Sequence, residues 1–236
     1  MSRLFDAEGV VCLRGAMVHW VERLRRAVET NMSEPGPYAT DYGTADDDDG
    51  LFFDDYCNWQ RIPDFEAAVR ESPLAGLAAE LMGTDQARFF HDHVLVKEAG
   101  ASRPTPWHAD SPYYLTDPDR SVSFWIPLDP VNDATLRLVA GSHRWSEPPV
   151  PTSWLDGSPF YDEVGGGTDV GFDPEADSAM TIREWALNPG DVVAFNFRTV
   201  HGARANSGDE RRRAVSFRFV EPEARFIDRH ARTSPP

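Results

Sequence analysis

The apolar positions of this chain change period about a third of the way along it. Over residues 17–30, Met17, Val18, Trp20, Val21, Leu24, Ala27 and Val28 recur at helical spacing, with charged residues filling the other face. This amphipathic helix is expected to stop before Pro35-Gly36-Pro37. Residues 35–60 read as a loop-rich region with several aromatics. Asp64 is placed to cap a short helix over 65–71, and Ser72-Pro73 with Gly83 bracket another over about 73–82.

From Arg88 onward the pattern is that of strands. Residues 89–97, 122–128, 135–139, 180–187, 192–197 and 214–220 are rich in aromatic and β-branched side chains. Turn signals separate them, among them Pro104-Thr105-Pro106, Asp117-Pro118-Asp119, Asn188-Pro189-Gly190 and Asn206-Ser207-Gly208. Many strands behind a helical layer predict a mainly β fold with flanking α, a double-stranded β-helix (a cupin-like jelly roll) with the N-terminal helices packed on one sheet. No internal repeat or second boundary is visible. A single domain over 1–236 is therefore expected, with a helical part over about 1–87 and a jelly-roll core over about 88–220. Residues 143–179 stand apart, with Pro148-Pro149, Gly165-Gly166-Gly167 and the aromatics Trp154, Phe160 and Tyr161. A connection this long in a compact domain reads as a lid-like insertion. The polar tail after Ile227 is expected to fray.

Composition narrows the function. The apolar content of 41% supports a sizeable core, and no run of about 18 apolar residues proposes a membrane span. The N-terminus lacks a signal-like apolar stretch, and Cys12 and Cys57 are spaced as two free thiols, so a cytoplasmic location is expected. A net charge of −16 argues against nucleic acid and anionic membranes as partners. The acidic run, Asp46 to Asp49 with Asp54 and Asp55, reads as a solvated loop; it lacks the glycine and terminal glutamate of a calcium-binding EF-hand.

The chemistry is carried by His108-Ala109-Asp110 and the remote His201. Two imidazoles and one carboxylate form the ligand set of a facial triad, which holds ferrous iron on one face and leaves its other positions open. On a strand or its extended end, positions two apart point the same way, so His108 and Asp110 are expected to meet one ion. Around them the chain reads WHADSPYY at 107–114, SFWIPLDP at 123–130, TLRLVAGSHRW at 135–145, NPGDVVAFNFRTVHGARANS at 188–207 and RRRAVSF at 211–217. This ordered set, over about residues 88–220, resembles the phytanoyl-CoA dioxygenase family of Fe(II)/2-oxoglutarate-dependent oxygenases.

The resemblance implies that His108, Asp110 and His201 are the catalytic iron ligands. It implies Fe(II), 2-oxoglutarate as cosubstrate and O2, with ascorbate as a stimulant. It also implies that Arg212, eleven positions after His201, grips the cosubstrate's far carboxylate, with Arg213 next in line. Strand alternation agrees, placing Arg212, Ala214 and Ser216 on one face and Val215, Phe217 and Phe219 on the other. Trp125 matches a tryptophan beside the cosubstrate, or is a plain core aromatic. Lys97 resembles a cosubstrate-contacting lysine, or is a solvated strand end. Ala109 stands where the family often has glutamine, so another group must supply that hydrogen bond. His91 and His93 either line the site or are interior histidines. With Asp110 present, the implied outcome is hydroxylation of a C–H bond of a small-molecule substrate rather than halogenation, with desaturation or ring chemistry as variants. A non-catalytic binding module on the same fold, or a jelly-roll isomerase using another metal, are the rival readings.

Overall fold

The computed structural model describes residues 1–42, 50–132, 135–152, 154, 158, 160, 172–229 and 233–235. A short helix α1 (Ser2–Glu8) leads into strand β1 (Val10–Leu13). After one 3-10 turn comes α2 (Val21–Ser33), then β2 (Thr40–Asp41) and β3 (Phe52–Tyr56). Helices α3 (Pro63–Glu71) and α4 (Leu74–Met82) precede β4 (Arg88–Lys97), β5 (Thr105–His108), β6 (Ser121–Pro127) and β7 (Leu136–Val139). Strands β8 (Ile182–Arg183), β9 (Val192–Phe195), β10 (His201–Ala203) and β11 (Arg212–Val220) complete the order.

Two antiparallel sheets face each other. The larger runs β1-β9-β6-β11-β4-β3-β2 and the smaller β5-β10-β7-β8. Side-chain alternation sorts the large sheet into two faces. Its outer face, with Val94, Val96, Phe124, Ile126, Val215, Phe217 and Phe219, packs against Leu24, Val28, Phe65, Leu74 and Leu81 of the helices. Its inner face contributes Phe52, Leu95, Trp125, Val193, Phe195 and Ala214 to a second cluster with Leu136 and Leu138 of the small sheet. This is the jelly roll with a helical layer on one sheet that the strand pattern predicts. The polar members of the inner face carry the site.

Several local expectations need correction. The helix predicted over 17–30 begins at Val21, because Met17 is tied to the large sheet by Met17 N–H→Gly190 O at 2.8 Å. Gly190 adopts a φ of +86°, and a Cβ there would stand 2.5 Å from Val18 Cα, so only glycine admits this approach. Asp64 does not cap α3, whose N-cap is Ile62; instead Asp64 lies in the first turn and pairs with Arg23 at 3.0 Å. The strand expected over 180–187 shrinks to β8 and an isolated bridge at Leu187.

The region read as loop contains β3, and two members of the presumed solvated acidic run are fully buried in it. Asp54 Oδ2 accepts from Tyr42 Oη at 3.1 Å and meets His93 Nε2 at 3.1 Å. Asp55 Oδ2 accepts from Asn31 Nδ2 at 2.6 Å and Gly36 N–H at 2.7 Å. Asp46 to Asp49, Tyr161 and the 165–167 glycines lie outside the described residues. The tail does not fray where it is described. Arg229 donates to the carbonyls of Tyr114 and Ser111, and Ile227 N–H to Leu115 O at 2.9 Å. That guanidinium satisfies carbonyls of the turn that follows His108 and Asp110, which holds the segment down.

Candidate metal centre and adjoining cavity

His108 and His201 are brought together by strand pairing. β5 and β10 run antiparallel with His108 directly opposite His201, and the imidazole centroids stand 4.2 Å apart. Gly202 permits this closeness: a Cβ there would lie 3.0 Å from Thr105 O. Asp110 arrives differently from the expectation. β5 ends at His108, and Asp110 takes helical dihedrals to open a 3-10 turn over Ser111–Tyr113. That turn is fixed by Ser111 N–H→Phe197 O at 2.9 Å. It swings the carboxylate back so that Oδ1 lies 3.8 Å from both His108 Nε2 and His201 Nε2.

The three ligand atoms lie within 4.8 Å of one another, and all three residues are buried. The donors also present the correct lone pairs. His108 Nδ1 bonds Pro106 O at 2.8 Å and His201 Nδ1 bonds Thr199 O at 2.8 Å. A carbonyl only accepts, so each Nδ1 carries the proton and each Nε2 is left with a lone pair aimed at the shared point. Burial and the neighbouring His201 push His108 down to about 3, and burial lowers His201, so both rings are neutral near pH 7. Burial by itself would raise Asp110, but Arg218 and the two imidazoles outweigh it and hold the carboxyl below its ordinary range. Two neutral imidazoles and one anion in this arrangement fit a divalent cation.

The other oxygen of Asp110 is occupied by the protein. Oδ2 accepts from Ser123 Oγ at 3.0 Å and Arg218 Nε at 3.2 Å, leaving Oδ1 for the metal. Sequence reasoning missed both residues in this role. Their signal was strand parity, because Arg218 shares the inward face with Arg212, Ala214 and Ser216. Ala109 is turned into a separate apolar cluster with Val139, Val200, Trp107 and Trp145.

Lys97, Trp125 and Arg212 also come together. Lys97 and Arg212 are direct cross-strand partners of β4 and β11, and the Arg212 guanidinium stands 5.7 Å from the Trp125 ring. Lys97 is a fully buried strand end: its Nζ donates to Arg103 O at 2.8 Å and Arg204 O at 3.3 Å, over the Phe52 ring. Burial, then Arg212, lower Lys97 to about 6, and burial lowers Arg212 to about 10. A buried guanidinium beside an amine that is neutral above about 6 sets one charge and several N–H donors where a carboxylate can be received. Arg211 and Arg213 point away, pairing with Glu98 at 2.6 Å and Asp129 at 2.7 Å respectively.

Beside the triad opens a cavity with about 800 Å³ of empty space, counting its mouth. Its walls include Tyr56, His93, Tyr113, Tyr114, Trp154 and Arg218. Trp154 and Phe160, from the insertion, stand edge-on to His108 at 5.0 Å and to Tyr113 at 4.9 Å. His93 stacks on Tyr56 at 3.9 Å and lines the cavity, whereas His91 packs between Phe90 and Tyr114. Thr233 and Ser234 of the docked tail reach the same space.

Comparison with known proteins bears directly on this site. The family model described as phytanoyl-CoA dioxygenase (PhyH) matches residues 5–214. The chain belongs to the phytanoyl-CoA dioxygenase family. Dioxygenase lolE1 of Epichloe uncinata is 27% identical over 168 residues, 66% of this chain and 56% of that protein. The match thus spans little more than half of that relative's length. Among solved structures, the alpha-ketoglutarate-dependent carbocyclase SnoK from nogalamycin biosynthesis superposes with a TM-score of 0.75 at 22% identity, covering 96% of this chain and 85% of that one. The epimerase SnoN, in complex with Fe3+, alpha ketoglutarate and nogalamycin RO, gives 0.76 at 22% identity, covering 96% and 84%. At this identity the two show a shared fold.

Proposed function

We infer that this chain is an Fe(II)/2-oxoglutarate-dependent oxygenase of a small organic molecule, with hydroxylation of a C–H bond as its first outcome. The observation that carries the reading is the pair of Nδ1–carbonyl bonds, which aim both histidine Nε2 lone pairs at Asp110 Oδ1. His108, Asp110 and His201 hold the iron, and Arg212 with Lys97 takes the far carboxylate of 2-oxoglutarate beside Trp125. When bound, iron and 2-oxoglutarate use O2 to oxidise the substrate, yielding succinate and CO2. Ser123 and Arg218 keep Asp110 ionised and aligned. Tyr113, Trp154 and Phe160 supply apolar walls that keep water from the open face of the metal.

One domain carries all of these parts, and Thr152, Trp154 and Phe160 of the insertion stand at the cavity wall. No helix of the described residues is long and apolar enough to cross a membrane. The two cysteines are free, which suits the reducing cytoplasm proposed for the protein. The presence of Asp110 in the triad favours oxygen transfer over halogenation. A carbocyclase and an epimerase share the fold, and ring or stereocentre chemistry would draw on the same machinery. Protein supplied with Fe(II), ascorbate, O2 and 2-oxoglutarate is expected to release succinate slowly without substrate, and Asp110→Ala to abolish it. Succinate release that is absent, or unchanged in Asp110→Ala, overturns the reading in favour of a binding module.

A further inference from the structure

Strand β11 carries two arginines on its inward face, six residues apart, with only Ala214 and Ser216 between them on that face. A strand rises about 3.3 Å per residue, so Arg212 and Arg218 sit on the order of 20 Å apart along the backbone, at opposite ends of the inward row. Arg212 stands with Lys97 and Trp125. Arg218 stands at the substrate cavity, which it lines, and is 4% exposed. Its Nε is engaged by Asp110, yet its Nη1 is fully buried with no hydrogen-bond partner among the described residues. A buried guanidinium N–H without a partner is uncommon in a folded protein and marks a position that a ligand would complete.

The ion pairing of Arg218 leans the same way. Among the described residues it pairs with Asp110, through Nε, and Asp110 turns its other oxygen toward the two histidines. The nearby histidines do not supply an anion, and burial with the Arg218 charge keeps His91 and His93 neutral. The rest of the wall is aromatic, with the Tyr114 ring 5.6 Å from the Arg218 guanidinium.

We propose that Arg218 is a specificity residue: while its Nε holds Asp110, it binds an acidic oxygen, a carboxylate or its equivalent, on a planar or aromatic substrate. The proposal deepens the oxygenase reading and rests on it. It separates two anion sites on one strand, Arg212 for the cosubstrate and Arg218 for the substrate.

The test compares benzoate with its neutral isostere benzamide by anaerobic calorimetry, on protein loaded with Mn(II) and saturated with 2-oxoglutarate so that the Arg212 site is filled. Wild type should bind benzoate at least about tenfold more tightly than benzamide. Arg218→Gln should bring the two within about twofold, whereas Ser123→Ala, which removes the other donor to Asp110, should keep the wild-type ratio. The wild-type ratio requires no variant, and Arg218→Lys, which keeps the charge, should retain a preference if Arg218→Gln does not fold. Equal affinity for the two probes, binding of neither, or a preference that survives Arg218→Gln overturns the proposal. A missing 2-oxoglutarate heat in the loading step is instead a failure of the cosubstrate reading. In that case the benzoate ratio and its Arg218 dependence are still read on the Mn(II) protein.

Discussion

Replacing Arg212 by methionine keeps much of its packing against Trp125 but removes the guanidinium. Arg212 is 4% exposed and directly opposite Lys97 in the β4–β11 ladder, so a carboxylate held there is shielded from water. Taking one partner from a buried charged pair costs about 3–5 kcal/mol. Lys97 remains in the variant, and loss of the adjacent cation removes the second cause, after burial, that holds it down. Its recovered point charge offsets part of the loss but lacks the two-pronged geometry of arginine. The lower end applies, about 3 kcal/mol, which is on the order of 100-fold in the dissociation constant for 2-oxoglutarate. Anaerobic calorimetry on the Mn(II)-loaded protein reads that constant directly. Mn(II) affinity should stay within about threefold of wild type, because the triad is held by Pro106, Thr199, Ser123 and Arg218. A change in 2-oxoglutarate affinity below about fivefold, or an equal loss of Mn(II) affinity, would refute the assignment of Arg212.

The remaining predictions concern the scaffold around the site. Lys97 is neutral in the folded protein above about 6, whereas in the unfolded chain it stays protonated up to about 10.4. The unfolded state therefore binds more protons over that window, and stability should rise with pH by up to about 1.4 kcal/mol per unit. Urea melts at several pH values should show this slope, and Lys97→Met should flatten it; an unchanged slope would place Lys97 in contact with water. Gly202→Ala drives a Cβ to 3.0 Å from Thr105 O, and should cost about 1–3 kcal/mol in urea denaturation while weakening Mn(II) binding, because β5 and β10 carry the two histidines. Asp191 accepts from Gly15 N–H, Asn188 N–H and Arg14 Nη1 at 2.7–3.0 Å. Asp191→Ala should lower stability by about 2–4 kcal/mol with metal affinity intact, and a parallel loss of metal affinity would count against the independence of the two regions.

Much of the core was legible in the sequence because its strands are long and their faces alternate cleanly. Phe217 and Phe219 face the helices while Arg212 and Ser216 face inward, a period-two pattern that burial enforces. β1 and β3 were not legible for two different reasons. β1 reads Val-Val-Cys-Leu, too short to show a period, and it is defined by pairing with β9, far away in sequence. β3 contains Asp54 and Asp55, which composition assigns to solvent. Only the fold reveals that Tyr42, Asn31 and Gly36 supply the hydrogen bonds that let them be buried.

The candidate site divides along the same line. His108, Asp110 and His201 could be named because residue type and order carry them. Strand parity turns Arg218 inward with Arg212, but parity does not say what an inward arginine meets; its bond to Asp110 comes from the turn after β5. The turn that brings Asp110 back toward the histidines was also out of reach, since it depends on Ser111 bonding Phe197 from another strand.

The central claim is that this triad binds ferrous iron and that 2-oxoglutarate chelates the iron so bound. Anaerobic addition of 2-oxoglutarate to the Fe(II)-loaded protein should produce a weak visible charge-transfer band, saturating at one equivalent of iron and absent in His201→Ala. A spectrum unchanged by 2-oxoglutarate, or a band that survives loss of His201, would contradict it.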